Sequence, residues 1–382
     1  WPESKGVDVE ASLEDVKKKA KIHSLVFMPI EEGKPESPWM MTSRRVENIL
    51  RRIMRPSEYS ATAGVGTWAD SIYWVEVVQK TPVGTLISNV GKTMKGRSKK
   101  IQAIVEDDLI FPLIRGRNAK KWFSSSEGYI LLPVNPETGE LISEEDFKVR
   151  YPKAYEFFLK FEKELKDRSG YKQLLKKAGK PFYAVLRTKS SLAPYKVGWK
   201  HISGKISGKA ELSCAVLPKA NGKPLVPSHG IIFIPTNSED EAHYIASVLN
   251  SVIARFIVAS YGLEVHITTD VPKRIYIPTF DPSNKIHLEL AELSKEAHEK
   301  ASDKYRLLDE IKALKKSLKG TKGEERKRIR EKMTALEEEL SGIEKELKKI
   351  EAKIDKKVAR LYGITDEELE EIERLFGVLM GA

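Results

Sequence analysis

Cationic side chains set among glycines and aromatics are the residues of this chain best suited to chemistry, and the chemistry they suit is polyanion binding. The segment from Gly91 to Lys100 carries Lys92, Lys95, Arg97, Lys99 and Lys100 and no acid. Arg115 and Arg117 flank Gly116 and lead into Lys120, Lys121 and Trp122. Arg187, Lys189 and Ser190 share a Ser-rich turn, and Lys196, Lys200, His201, Lys205 and Lys209 surround Trp199. Thr268 and Thr269 add a polar pair in a loop. Lysines on loops reach phosphate oxygens, and the forked Arg guanidinium can also read guanine. For each cluster the plainer alternative is a solvated Lys-rich surface; four clusters in one stretch favour nucleic acid.

Other chemistries find little support. Gly64-Val65-Gly66 lacks the third Gly of a dinucleotide loop and precedes a strand-like run, so it reads as a turn. A phosphate-binding Walker A sequence and a His-Glu-x-x-His pair are both missing, and the seven histidines are scattered. Glu106, Asp107 and Asp108 have no Glu-x-Lys partner at nuclease spacing. Asp281-Pro282-Ser283-Asn284 lacks the second Pro and the aromatic residue of a base-holding methyltransferase loop and reads as a turn before a helix. The residues therefore name no catalytic group, no metal ligand and no cofactor-binding residue within the chain.

The composition agrees with a basic binding protein. Among 382 residues, 66 Lys and Arg stand against 55 Asp and Glu, a net charge of +11. That balance raises the expectation of nucleic acid or another anionic partner. The one cysteine, Cys214, rules out an internal disulfide and suits a reducing cytoplasm. No apolar run is long enough to span a membrane and the start is not signal-like, so a cytoplasmic location is expected. Abundant Lys and Glu with few Gln and Asn resemble a hyperthermophile composition. The chain starts at Trp1, which suggests a fragment or a processed product.

The elements that must position these cations divide the chain into four. Residues 1–55 form a connector with a basic helix from Thr42 to Met54, ended by Pro56. Residues 56–280 read as an α+β body. Strands are predicted at 71–78, 85–90, 101–105, 129–133, 182–186, 196–199, 212–217, 230–235 and 274–278. Helices are predicted at 143–149, 152–168 and 240–261. From Ile329 to Leu361 the apolar residues Met333, Leu336, Leu340, Ile343, Leu347, Ile350, Ile354 and Val358 recur at steps of 3 and 4, an a/d seam. A looser stripe runs from Leu290 to Leu318, and Gly320 to Gly323 separates the two. Residues 281–362 are therefore an antiparallel coiled-coil hairpin reaching about 45 Å at 1.5 Å per residue. Thr321 with Glu324 and Thr365 with Glu368 fit capping boxes, the second opening a C-terminal helix over 363–382.

Several motifs in this order resemble the target-recognition, or specificity, region of type IIG restriction–modification enzymes and related N6-adenine DNA methyltransferases. They are Tyr59 to Val65 followed by Ile72 to Glu76, Leu113 to Arg117 with Lys121-Trp122, Arg168-Ser169-Gly170-Tyr171, and Lys180 to Tyr183. Then come Ala193 to Trp199, Val248 to Ser251 and Tyr276 to Pro282, with helical matches at Ala291 to Ser294 and Ile354 to Thr365. The layout is also similar to type I specificity subunits. The resemblance implies an α+β fold: a mixed or antiparallel-sheet recognition body, a long antiparallel helical hairpin and a C-terminal helix. It implies a module that chooses which adenine is methylated, and leaves open whether the parent enzyme also cleaves DNA. S-adenosylmethionine would then sit in a methyltransferase domain or subunit outside this chain.

Double-stranded DNA and that methyltransferase are the expected partners, and the hairpin could also dimerise. Lys92, Arg97, Lys99, Lys100, Arg115 and Arg117 are the expected backbone contacts. Arg187, Lys189, Ser190, Lys200, His201, Thr268 and Thr269 are the expected base readers. The mixed charge of the hairpin, with Glu338, Glu339, Glu344 and Glu346 among lysines, assigns it to spacing rather than to DNA. Two other classes stay open: a non-catalytic scaffold assembled through the hairpin, and a nuclease with an unrecognised site.

Overall fold

Val75 on Trp74–Thr81 and Thr85, Ile87, Ser88 and Asn89 on Gly84–Asn89 are the buried residues around which these paired strands of the first sheet form, and a Phe-rich helical segment covers it. A computed structural model of the chain describes residues 12–15, 25–30, 33–37, 39–93, 96–203, 211–261 and 266–381. Lys95, Lys205 and Lys209 lie outside the described residues. The protein is α+β, as its sequence pattern predicts.

The strands of the two main sheets are β1 (Thr62–Ala63), β2 (Trp74–Thr81), β3 (Gly84–Asn89), β4 (Gln102–Val105), β5 (Ile110–Ile114), β6 (Tyr129–Leu131), β7 (Tyr195–Lys200), β8 (Cys214–Val216), β9 (Val226–Pro227) and β10 (Ile231–Thr236). One sheet has six strands in the order β9-β5-β6-β2-β3-β4, and the other has four in the order β8-β7-β10-β1. All pairings in them are antiparallel except β9 with β5, where Val226 faces Leu113. The helices are α1 (Arg44–Ile53), α2 (Glu144–Arg150), α3 (Pro152–Leu159), α4 (Glu162–Asp167), α5 (Glu239–Asn250), α6 (Val252–Tyr261), α7 (Lys285–Ser317), α8 (Gly323–Tyr362) and α9 (Asp366–Met380). The six-stranded sheet packs on α2 to α4 through Phe147, Phe157, Phe158 and Phe161, joined by Tyr73 and Tyr183. The rings of Phe147 and Tyr183 lie 4.8 Å apart and edge on, an arrangement worth about 0.5–1.5 kcal/mol beyond simple burial.

A second core joins the four-stranded sheet to α1 and to α5 through α9. Val46, Ile245, Ile354 and Leu375 all belong to it. It thus crosses the expected boundaries at 55, 280 and 362, which mark changes of element rather than separate cores. Α-helix α7 lies against α5 by Leu290, Ala291, Ala297 and Ala301, while α8 contributes Ile350, Ile354 and Val358. Polar ties hold the base of the hairpin. The Val216 amide donates to His298 Nε2 (2.9 Å), and the Val252 amide donates to Asp355 (2.7 Å). Toward the tip, beyond Ile311 on α7 and Leu347 on α8, no residue of either helix is fully buried, and Met333, Leu336, Leu340 and Ile343 stay half-buried. A two-helix seam has open sides, so this outer part is the true arm.

The arm's charge is not evenly mixed. Lower down, Lys300 pairs with Glu346 (2.6 Å) and Lys304 with Glu344 (2.8 Å). Around the tip, from 312 to 332, ten Lys and Arg face three Glu. The expectation of uniform mixing therefore holds for the base alone.

Some expected elements take other forms, each for a local reason. The strand predicted from Ser71 begins at Trp74, because Thr67 and Asp70 close a helical turn over Asp70–Tyr73. Residues 182–186 form no strand beyond one bridge from Leu186 to Gly66; the Phe182 and Ala184 carbonyls bond to Arg168 instead of to a neighbouring strand. Residues 271–274 form a helical turn with Pro272 in its first turn, and no strand closes the body. The helix predicted over 240–261 bends by 55° at Ser251, whose hydroxyl accepts from the Ala254 amide while Asp355 takes the Val252 amide. The Thr321 hydroxyl donates to the Ser317 carbonyl, so the first capping box does not form, whereas the Thr365–Glu368 box does. Asn284 caps α7, which makes the Asp281–Asn284 segment a turn as expected. Among the described residues, no single helix is long and apolar enough to cross a membrane.

Truncation should separate the two halves of the hairpin. Ile354→Ala is expected to cost about 2–5 kcal/mol of unfolding free energy, in the range for filled cores. Leu336→Ala is expected to cost under about 1 kcal/mol, closer to a surface change. Urea denaturation of both variants checks this, and equal losses would show that the arm is packed as tightly as its base.

Candidate nucleic-acid interface

Glycines at 64 and 66 let one loop run against two others. A Cβ at Gly64 would lie 2.1 Å from the Ser228 carbonyl oxygen. The Val65 amide donates to the Pro227 carbonyl (2.9 Å), and Gly66 and Leu186 exchange two backbone bonds (3.2 Å each). The predicted turn is thus a clamp that brings residues 64–70, 186–187 and 227–229 together. Two large residues at this clamp have left-handed backbones, Trp68 (φ 51°) and Arg187 (φ 62°). Each conformation costs about 1–3 kcal/mol in a non-glycine residue and persists only where its surroundings impose it.

What imposes it is visible. Arg168 is buried, and its guanidinium donates to the carbonyls of Leu165 (3.0 Å), Thr67 (2.6 Å), Phe182 (2.7 Å) and Ala184. It holds the residue before Trp68 and the segment before Arg187 in one grip. Gly170 lies under the Trp68 indole, where a Cβ would sit 2.2 Å from Cδ2. Arg187 donates from Nε to the Gly64 carbonyl (2.9 Å). Its Nη2 lies 2.8 Å, and Trp68 Cη2 lies 3.5 Å, from where a Gly66 Cβ would be. Guanidinium and indole therefore border the same small space. Burial pulls the Arg187 pKa below its usual value, and no carboxylate among the described residues forms an ion pair with it. Asp70 accepts from the Thr67 hydroxyl and lies 3.6 Å from His229 Nδ1. These groups line a cavity of about 710 Å³ together with Arg97, Ser98 and, from α4, Glu164 and Asp167.

The expected interface residues divide three ways. Arg97 and Arg187 meet at the cavity although ninety positions separate them. Lys92 and Lys99 are exposed on the ribbon beside it, as is Lys100, which pairs with Glu76 at 3.4 Å. Lys189 and Ser190 lie on the helical turn after Arg187, where the Ser190 hydroxyl donates to the Arg187 carbonyl. A neighbouring edge gathers Lys200, His201 and the two threonines. The His201 amide donates to the Gly230 carbonyl, next to His229, and the Ile267 amide donates to the His201 carbonyl beside Thr268 and Thr269. Arg115 and Arg117 both pair with Glu127, which leaves that corner less positive than its sequence suggests.

Four others have inward roles, which corrects their assignment to an interface. Trp199 and Lys196 are fully buried, and the Lys196 ammonium donates to the Ala193 carbonyl (2.6 Å). Lys120 lies 3.9 Å from the centre of the Tyr305 ring on α7, and Lys121 pairs with Glu351 of α8 (2.8 Å). Lys196 and Lys200 are four residues apart on β7 and so share a face; Lys196 is covered in mid-strand, whereas Lys200 ends the strand and is only half-buried. The sequence reading missed Trp68, Asp70, Arg168 and His229 as a set. The signal was present in part, since the Arg168-Ser169-Gly170 motif supplies Arg168 and Ser169 to the lining, and the Gly64-Val65 motif leads into it at Gly66. Glu106, the first of the three acids weighed above against nuclease spacing, caps α3 by accepting from the Lys153 and Ala154 amides.

Two outcomes follow. Burial lowers the Lys196 pKa to about 7, so the unfolded chain holds more protons between about pH 7 and the usual lysine range. Its contribution to stability should rise with pH across that window, and Lys196→Met should melt higher than wild type at pH 6.5 but lose the advantage by pH 10. Gly170→Ala should push the Trp68 indole outward, read as increased acrylamide quenching that is absent in the Trp68→Phe background. No family model matches the chain, and no curated protein matches it.

Proposed function

We propose that this chain is the DNA target-recognition module of a restriction–modification system, directing adenine-N6 methylation by a methyltransferase domain or subunit. The observation that carries the proposal is the meeting of Arg97 and Arg187 with the Trp68 indole in one cavity, beside the exposed Lys92, Lys99 and Lys100. Exposed lysines on a ribbon suit phosphates, whereas an oriented, half-buried guanidinium suits a base edge. Lys200, His201, Thr268 and Thr269 provide further polar groups on the adjoining edge. The methyl donor, S-adenosylmethionine, belongs to the partner, which performs the transfer. The hairpin base shares a core with the four-stranded sheet, so a partner seated on the arm would be held at a fixed angle to the recognition face. Cytoplasmic DNA is the substrate this reading requires.

Fluorescence anisotropy on duplex DNA at 50 and 200 mM salt tests the proposal. Affinity should fall steeply with salt, and replacing Lys92, Lys99 and Lys100 by Ala should lessen the logarithmic salt slope by about 2.7, or about 0.9 per lost phosphate contact. Arg187→Ala should flatten the preference among sequences by about 1–3 kcal/mol and change the slope little. Failure of the intact chain to bind any duplex at 50 mM salt would overturn the reading.

A further inference from the structure

We infer that the cavity walled by Trp68, Arg187 and Asp70 is a binding site for a single unstacked guanine base. The inference rests on the DNA-recognition reading and names what the recognition face takes in. A base held here would differ from the adenine that the partner modifies.

Shape is the first argument. A cavity of about 710 Å³ exceeds what water bridging needs and lies within the range of nucleotide-sized ligand sites. The Trp68 indole is 44 % exposed there, an apolar plane left uncovered inside a concave wall. Base stacking on such a plane is worth about 1–3 kcal/mol and tolerates any base. Selection must come from the edges.

The edge groups select guanine. Arg187 is anchored by Nε to the Gly64 carbonyl, which leaves the Nη atoms for a ligand. A fork of donors matches O6 and N7 of guanine, whereas adenine places a donor, its N6 amine, where O6 would be. Asp70 is the complementary acceptor. Its carboxylate is fixed by the Thr67 hydroxyl and lies 3.6 Å from His229, and it can accept from N1–H and the N2 amine of guanine. Pyrimidines lack the paired O6 and N7 acceptors that the fork matches. The lining also argues against a buried phosphate, because Asp70, Glu164 and Asp167 all face this space. A neutral base with donors on one edge and acceptors on the other meets both signs of charge. Arg97 in the same lining is placed for the attached phosphate.

Strain supports a ligand role. Trp68 and Arg187 are the two left-handed non-glycine residues at the cavity, and a buried guanidinium with four carbonyl partners fixes the segments that precede them. A purely structural loop has no need to hold a large aromatic and a long cation in costly backbone conformations facing one space. Preorganising a stacking plane and a donor fork does require it.

The experiment uses the intact chain and two ligand sources. Duplexes of one sequence carry guanine, adenine, thymine or cytosine opposite an abasic site, which removes the unpairing cost, and GMP and AMP are added alone. The guanine duplex should bind about tenfold more tightly than the fully paired duplex and than the other three, with quenching of the fluorescence that Trp68→Phe removes. Arg187→Lys keeps the charge but lacks the fork, so it should lose the guanine preference. Equal affinity for all four abasic duplexes, or quenching that persists in Trp68→Phe, overturns the inference while leaving the DNA reading intact. Quenching by GMP without binding of any duplex would support the site and overturn the DNA reading. AMP quenching equal to that by GMP would overturn the guanine assignment.

Discussion

A single buried guanidinium holds the recognition face together. Arg168 forms no ion pair among the described residues and instead satisfies carbonyls from three separate stretches, Leu165, Thr67 and the Phe182–Ala184 segment. A charge taken out of water needs such bonds, and each bond to a charged donor is stronger than a neutral one. The same bonds serve backbone groups that would otherwise need a strand partner. This explains why residues 182–186 are irregular and why Trp68 and Arg187 can be held in conformations that their side chains disfavour. Loss of the guanidinium would leave several buried carbonyls unpaired in the wall of one cavity.

The second constraint is the sharing of one core by sheet and helices. The four-stranded sheet, α1 and the base of the hairpin bury their apolar faces together, and Asp355 and Glu351 of α8 reach back to the body. Lys120 and Lys121 are spent on this junction. The loop at 115–122 therefore has two faces, one toward Glu127 and the recognition edge and one toward the arm. Whatever seats on the arm is mechanically continuous with the sheet, because the helices leave the core already fixed in direction.

Charge follows the same division. Close to the body, lysines and glutamates pair across α7 and α8, which suits a rigid base. Such exposed pairs add little stability individually, about 0–1 kcal/mol, so the apolar seam and the shared core must supply most of the rigidity. At the tip the positive residues are largely without acids to face. On the recognition face the arrangement is reversed in purpose. At the cavity Arg187 has no ion-pair partner among the described residues, Asp70 is held by the Thr67 hydroxyl beside His229, and Asp167 pairs with Lys172 (3.0 Å).

Periodicity alone determined the helices with long seams. Steps of 3 and 4 from Met333 to Val358 can be satisfied only by a helix against an apolar partner, and the Thr365–Glu368 cap marks its successor because both bonds form within four residues. Strands β3, β4, β7 and β10 were equally legible, since β-branched runs between turns depend on near neighbours. Tertiary structure alone decided where a run ended and which way a cation pointed. Ser71 to Tyr73 turned helical through Thr67 and Asp70, and the helix over 240–261 broke where Asp355, about a hundred positions away, supplied an acceptor. Lysines 196 and 200 look alike as letters, yet one is buried and the other is at an edge. The cavity is the extreme case: Gly66, Trp68, Arg168, Gly170, Arg187 and His229 have no common spacing, and only the carbonyls gathered by Arg168 and the close backbone approach at the glycines bring them to one place.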